Sequence, residues 1–254
     1  MSAERKAALV TGSTRGMGRA AVLELARHGY DVVVNYAKSR EQAEKVVAEA
    51  TALGARSVAV AADVADEAAV IRMAGAVKDA FGRLDALVNN AGVTIATPPS
   101  DLEGLRMSDW DRVFAVNVRG TFQVTRACVP LLREAPAPAI VNLASIVGLR
   151  PGPQPFPYAA SKAAIVNLTR TLAGALGPKI RVNAVAPGWV VGEWMEQQLG
   201  DSYDRLMERR AKMTPLRRCV TPEEVAVTIV DLIEHNPFVN GEIVVIDGGY
   251  SATT

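Results

Sequence analysis

Cysteine is nearly missing. Cys128 and Cys219 are the 2 in 254 residues, and neither stands in a CxxC or a Cys/His group. That spacing excludes a zinc-ligand set and a disulfide framework, and it fits a reducing compartment. An excess of one charge is missing too. Lys plus Arg is 28 and Asp plus Glu is 27, a net charge of +1. This balance argues against a nucleic-acid partner, which calls for a basic surplus, although a local basic patch is compatible with it. No apolar run reaches the ~20 residues that span a bilayer. Residues 1–6 are polar and hold no apolar signal core. The sequence therefore reads as soluble and cytoplasmic, with no membrane partner and no metal. What is present is 49% hydrophobic and 22% charged, a globular composition. Its length suits one α/β domain.

Short β-branched or alanine-rich runs alternate with helical stretches from end to end. The pattern predicts strands over 7–10, 31–34, 57–60, 86–88, 139–143, 181–185 and 243–246. It predicts helices over 18–28, 67–81, 108–132 and 158–176, the third of these ending near Pro136 and Pro138. Another helix opens at Ser39, where Gln42 three residues on completes a capping box. A last one opens at Thr221, with Pro222 first and Glu224 third. Strand-helix alternation implies an α/β fold: a three-layer, doubly wound parallel sheet (a Rossmann fold) of about seven strands. Apolar residues on both sides of each strand agree with a doubly covered sheet. No repeat or linker divides residues 1–254, so a single domain is expected. The one long irregular stretch, about 188–215, holds helix-forming residues over 202–211 and no strand, and reads as a substrate lid.

Thr11-Gly12-Ser13-Thr14-Arg15-Gly16-Met17-Gly18 follows the first strand and opens a helix. Glycines there let backbone approach a phosphate, and the helix start offers free N–H groups to it. The spacing is GxxxGxG rather than GxGxxG, and a turn rich in glycine for steric reasons alone is the competing explanation. The end of the second strand bears on cofactor choice, because an acid there would hydrogen-bond an NAD ribose and repel a 2′-phosphate. The chain instead reads Asn35-Tyr36-Ala37-Lys38-Ser39-Arg40, with no acid before Glu41. Arg15, Lys38 and Arg40 are placed to gather around an added phosphate, unless they are solvated surface charges. The expected cofactor is NADP(H).

Tyr158 and Lys162 sit four apart at a helix start and so share a face. A cation beside a phenol favours the phenolate and lowers its pKa, and such a tyrosine can give or take a proton at an alcohol oxygen. Ser145 follows the fifth strand at its carboxyl end, where open α/β sheets bind ligands. Its hydroxyl can hold a carbonyl oxygen beside the tyrosine.

Thr11-Gly12-x-x-x-Gly16-x-Gly18, Asn89-Asn90-Ala91-Gly92, Asn117, Ser145, Tyr158-x-x-x-Lys162, Pro187-Gly188 and Asp247-Gly248-Gly249 occur in that order. Over essentially its whole length the chain resembles the short-chain dehydrogenase/reductase family, and within it the 3-oxoacyl-(acyl-carrier-protein) reductase branch. The resemblance implies a catalytic set of Asn117, Ser145, Tyr158 and Lys162. Tyr158 would be the general acid/base, with Lys162 on the nicotinamide ribose, Ser145 on the substrate carbonyl, and Asn117 holding a water that links Lys162 to solvent. It implies that Asp63 accepts from the adenine amino group, with Val64 beside it. Asn89 would support the sheet and the cofactor turn, Gly92 would leave room for the ribose, and Pro187-Gly188 would line the nicotinamide. The cofactor-binding set expected from turn and resemblance together is Gly12, Thr14, Arg15, Gly16, Met17, Gly18, Asn35, Tyr36, Lys38, Ser39, Asp63, Val64, Asn90, Ala91, Gly92, Tyr158, Lys162, Pro187, Gly188 and Val190.

The sequence departs from the family at Gly192, where the pattern has a Thr that bonds the carboxamide. A carrier-protein partner would need basic residues near the mouth, for which Arg119, Arg126, Arg133 and Lys179 are candidates or else solvated surface. Pro151, Pro153, Pro155, Phe156 and Pro157 make the loop after Ser145 stiff and apolar. Trp189, Trp194, Met195, Met207 and Met213 in the lid fit an apolar substrate, or pack the lid against the body. The resulting reading is an NADP(H)-dependent oxidoreductase that reduces a ketone, a 3-oxoacyl thioester or similar apolar carbonyl, and forms a homotetramer. Two alternatives stay open: an NAD(P)-dependent dehydrogenase of a sugar, polyol or steroid alcohol, and an idle nucleotide-sensing protein.

Overall fold

Runs of Ala, Val, Leu and Ile have no polar side to offer water, so as strands they need cover on both faces. In the computed structural model, which describes residues 5–253, β1 (Ala7–Val10), β4 (Ala86–Asn89) and β5 (Ala139–Leu143) are buried throughout. Residues 1–4 of the polar opening stretch, and residue 254, lie outside the described residues. β2 (Asp31–Tyr36) and β6 (Arg181–Pro187) are buried except at one end. β3 (Ser57–Ala61) and β7 (Ile243–Ile246) are the partly exposed edges. The seven strands form one sheet in the order β3-β2-β1-β4-β5-β6-β7, parallel at every pairing. Chain order reverses between β1 and β4, which opens a crevice at their carboxyl ends.

Residues alternate between two cores, as the strand period requires. Ala8, Val10, Val32, Val34, Ala86 and Val88 pack under α1 (Gly16–Arg27), α2 (Arg40–Ala52) and α9 (Pro222–Glu234). Leu9, Val33 and Leu87 face the opposite layer, built from α3 (Glu67–Phe81), α5 (Thr121–Glu134) and α6 (Phe156–Leu176). Among the described residues, no helix is long and apolar enough to cross a membrane.

Three local expectations change. The helix expected over 108–132 is α4 (Met107–Phe114) and α5 joined by a wide π-helical turn, Ala115–Gly120. Gly120 lets that turn press on the loop after β3, since a Cβ there would lie 2.8 Å from Val64 Cγ2. Ser39 makes no side-chain cap bond; its ψ of 72° is not the extended backbone that aims a capping hydroxyl at the helix. Thr221 has that backbone (ψ 157°) and its box closes, with Glu224 N–H donating to Thr221 Oγ1 at 3.2 Å and Thr221 N–H to Glu224 Oε2 at 2.9 Å. The segment 188–215 holds the helix expected over 202–211 as α8 (Tyr203–Met213), and before it an unforeseen one, α7 (Glu193–Leu199). An isolated parallel bridge, Val190 to Val220, ties its root to the body.

A buried polar chain crosses the sheet under the crevice. Asn89 Nδ2 donates to Asn142 Oδ1 at 2.9 Å and to Thr125 Oγ1 at 3.0 Å, and Asn142 Nδ2 donates to Thr169 Oγ1 at 2.9 Å. It ties β4 and β5 to α5 and α6. Removing Asn142 strands an Asn89 N–H in the interior. Asn142→Ala should cost about 2–4 kcal/mol of stability, measured by urea unfolding. A loss within experimental error of zero would mean that the chain is not structural.

Candidate active site

The turn between β1 and α1 uses its three glycines differently. A Cβ on Gly12 would lie 2.9 Å from Ala91 Cα, and one on Gly18 would lie 2.5 Å from Asn90 Nδ2. Gly16, at φ +53°, has nothing within 4 Å of that position. The first and third glycines therefore let the turn touch the loop after β4, while the second leaves the floor open. Thr11 Oγ1 accepts from the Asn90 and Ala91 N–H groups at 3.0 Å each. Asn90 Nδ2 donates back to the Thr11 and Gly12 carbonyls at 2.8 and 2.9 Å. Asn35 is buried behind them. Its Oδ1 accepts from Gly12 N–H at 3.0 Å, and its Nδ2 donates to the carbonyls of Val60 and Ala62. Its amide is a strut of the turn, with both ends in use.

A cleft of about 410 Å³ opens over this floor. Gly12, Thr14, Arg15, Gly16, Met17, Asp63, Val64, Asn90, Ala91, Gly92, Tyr158 and Lys162 all line it, as does Asn35. Gly18 lies beneath the turn. Tyr36, Lys38 and Ser39 do not line it: Tyr36 packs against the core, and Lys38, Ser39 and Arg40 are exposed. Arg40 pairs with Glu44 at 3.6 Å. Of the three cations expected around a phosphate, Arg15 alone faces the cleft. Sequence reasoning missed Arg112, which lines the cleft and reaches Asp63 Oδ2 at 3.4 Å, and Thr94, whose buried hydroxyl has no partner. The start of α1 carries no side-chain cap and no acid in its first turn. The open glycine floor at 16, the uncapped N–H groups and a hydroxyl unpaired among the described residues fit a phosphate-bearing dinucleotide.

Ser145, Tyr158 and Lys162 come together at the far end. Ser145 follows β5, and the short turn Ile146–Gly148 after it presses on α6. A Cβ on Gly148 would lie 2.6 Å from the Lys162 carbonyl, so backbone contact fixes the serine beside the helix. Lys162 Nζ donates to the Leu143 carbonyl at 2.5 Å and lies 5.6 Å from the Tyr158 ring centroid. Burial pulls the Lys162 ammonium down to about 8. Burial also pushes the Tyr158 phenol up to about 12, against a smaller downward pull from its hydrogen bond with Ser145. In the ligand-free site desolvation is the largest influence on the phenol.

Asn117 lies behind them in the π-helical turn, 2% exposed. Its Oδ1 accepts from Val93 N–H at 2.8 Å, and its Nδ2 donates to the Val93 carbonyl and Ser161 Oγ at 3.0 Å each. The side chain clamps the β4 loop to α6. No local pattern marks Ser161 as its partner, because the two lie 44 residues apart.

A second, smaller cavity of about 90 Å³ adjoins the cleft. Pro187, Gly188, Val190 and Ser145 line it, with Ile146, Val147, Trp189 and Met195. Gly16, Met17, Ala144, Tyr158 and Trp194 line both spaces. The Trp194 ring lies 6.2 Å from that of Tyr158. The phenol therefore stands where a polar cleft meets an apolar pocket. Asp247-Gly248-Gly249 stands apart from the chemistry: Asp247 accepts from Gly249 and Ser251 N–H groups, and a Cβ on Gly248 would lie 2.8 Å from Thr214 Cγ2.

The family model described as Enoyl-(Acyl carrier protein) reductase matches residues 12–251. The chain is 39% identical over 246 residues to a Streptomyces violaceoruber protein named as a ketoacyl reductase of granaticin polyketide synthase, covering 97% of this chain and 96% of that one. It is 38% identical to the 3-oxoacyl-(acyl-carrier-protein) reductase FabG of Staphylococcus epidermidis, covering 96% and 98%. Among solved structures it is similar to NAD⁺-bound xylitol dehydrogenase, with a TM-score of 0.89 at 32% identity, covering 96% and 98%.

The buried lysine gives a pH signature. Its pKa is lower folded, about 8, than unfolded, about 10.4. Between those values the unfolded chain binds more protons, so this group's contribution to stability rises with pH. Below pH 8 the folded protein holds a buried charge at a cost. Lys162→Met should therefore raise the Tm of the ligand-free protein at pH 7, and the gain should shrink as pH climbs through 8 toward 10. A thermal-shift series across pH checks this; a gain that grows with pH would reverse the assignment.

Proposed function

Because the chain belongs to the short-chain dehydrogenase/reductase family and is an oxidoreductase acting on CH–OH groups, we propose that it is an NADP(H)-dependent ketone reductase. The observation that carries this is the placement of Ser145, Tyr158 and Lys162 where the glycine-floored cleft joins the apolar pocket. A bound nicotinamide dinucleotide supplies the hydride. The residues that would hold it are, in the cleft, Gly12, Gly16 and Arg15 at the phosphates, Asp63 and Val64 at the base and Gly92 and Lys162 at the ribose, with Pro187-Gly188 of the adjoining pocket at the nicotinamide.

The protein's own part is a proton and an orientation. With its pKa pushed up to about 12, the Tyr158 phenol stays protonated at neutral pH and is a donor. Ser145 holds the carbonyl oxygen, and Tyr158 protonates that oxygen as it becomes an alkoxide. Lys162, still mostly charged at neutral pH, stabilises the phenolate left behind. The apolar pocket suits an acyl chain or similar apolar ketone, and the similarity to 3-oxoacyl and ketoacyl reductases favours a 3-oxoacyl thioester. Carrier-protein docking through all four basic candidates is not favoured, because Arg126 pairs with Glu67 and Lys179 donates to the Ala135 carbonyl. A homotetramer in the cytoplasm completes the reading. Phe122, exposed on α5, and Val245, exposed on the edge strand β7, suit contact with further copies.

The retreat of Lys38 and Arg40 from the cleft favours a second reading, an NAD-dependent polyol dehydrogenase like the xylitol enzyme. Titration with NADPH and with NADH, followed by nicotinamide fluorescence, separates the two; tighter NADH binding would overturn the first. Tyr158→Phe should lower turnover of an acetoacetyl thioester about 10²–10⁴-fold and leave NADPH binding measurable. Wild-type turnover in that variant would remove Tyr158 from its role.

A further inference from the structure

Helix α7 hangs between two glycines. Gly192 has φ +116° and ψ −176°, and Gly200 has φ +50° and ψ −134°. A Cβ at either would meet nothing within 4 Å, so conformation rather than crowding demands glycine. The Gly192 backbone lies in a region that glycine alone enters at low cost. This explains why no Thr stands there.

Three side chains of α7 reach toward the site. Met195 is buried with Ile146, Trp189, Met207 and Tyr250. Trp194 lies beside Tyr158. Gln197 Oε1 accepts from Arg15 Nη1 at 2.8 Å. Arg15 belongs to the glycine turn and lines the cleft. A guanidinium carries five N–H donors in a rigid fork, and this bond uses one nitrogen. The others remain for an anion.

We propose that Arg15 bridges a phosphate of the bound dinucleotide and the lid, and that Gln197 is the positioning residue through which cofactor occupancy closes the lid. The inference rests on the cofactor assignment above. An unbound arginine side chain samples many rotamers, and each partner that fixes it costs entropy. A phosphate on the free nitrogens fixes the guanidinium first, so the bond to Gln197 then forms at lower cost. The coupling is reciprocal: the closed lid holds the cofactor by the same factor. The phosphate is either the 2′-phosphate or the pyrophosphate, and the two differ in whether NADH acts.

The test is limited trypsin digestion of the full chain, read at Arg205 and Arg209 in the exposed face of α8, with nicotinamide fluorescence reporting binding in the same samples. In wild type, NADPH should slow cleavage about fivefold or more. Gln197→Met keeps the side-chain length and removes the acceptor. It should match wild type in Tm, bind NADPH about fivefold more weakly while still saturating with it, lose the NADPH-dependent protection at saturation and raise KM for the ketone about fivefold. Protection by NADPH and not NADH assigns the 2′-phosphate; protection by both assigns the pyrophosphate. Full protection in Gln197→Met overturns the proposal, as does wild type that binds NADPH with no change in cleavage. Wild type that binds neither dinucleotide overturns the cofactor assignment itself, and the bridge with it.

Discussion

The turn after β1 and the turn after β4 approach too closely for a Cβ on Gly12 or Gly18. They meet at the point where strand order reverses, Gly12 against the Ala91 backbone and Gly18 against the Asn90 side-chain amide. The rest of the site follows from that approach. Thr11 and Asn90 lace the two turns together, Asn35 braces them from β2, and Gly16 is left as an open floor. The loop after β4 then runs past Asn117 to Gly92, which borders Lys162; a Cβ on Gly92 would lie 3.5 Å from Asn117 Oδ1 and 3.9 Å from Lys162 Nζ. One steric constraint thus sets the phosphate end of the cleft, and through the Asn117 clamp it also sets the reacting end.

The reacting end is built at a cost to the fold. Burial favours the neutral form of each group: it holds the phenol, already neutral at pH 7, more firmly protonated and pulls the Lys162 ammonium toward its amine. The protein could be more stable with an apolar side chain at 162. What it gains is a tyrosine that keeps its proton at neutral pH and a lysine near the edge of titration. The Leu143 carbonyl and the Gly148 contact hold these groups by backbone, which cannot rotate away. Local instability and positional rigidity sit in the same few residues, as is usual where chemistry is done.

How much of this the sequence reveals depends on the range of the interaction. Strands buried on both faces leave unbroken apolar runs, so the doubly wound sheet is legible from β1 to β7. The glycine turn is legible because positive φ at Gly12 and Gly16 is a local demand, whereas the contacts that Gly12 and Gly18 make with Ala91 and Asn90 are not. The capping box at Ser39 misleads: residue type gives the hydroxyl, while ψ decides where it points. Asn117 and Ser161 can be joined only by folding. Lys38 and Arg40 follow the right strand, yet both are exposed. Gly192 is visible as a departure from the family, and its reason appears only as a positive φ.

Cofactor choice therefore rests on different grounds from a cluster of three cations. Discrimination by charge can come from attraction or from repulsion. An acid at the end of β2 would repel a 2′-phosphate, and that position holds Tyr36 after Asn35, whose amide is already committed to the turn. Repulsion is absent by construction. If the proposed bridge meets the 2′-phosphate, attraction comes from Arg15, a single guanidinium bonded to Gln197, while Arg112 across the cleft is drawn to Asp63. A preference set by one shared cation and no opposing acid is modest in size. It is also coupled to the lid, since whatever fixes Arg15 fixes α7. Selectivity for the phosphate and closure over the substrate are then two readings of the same side chain.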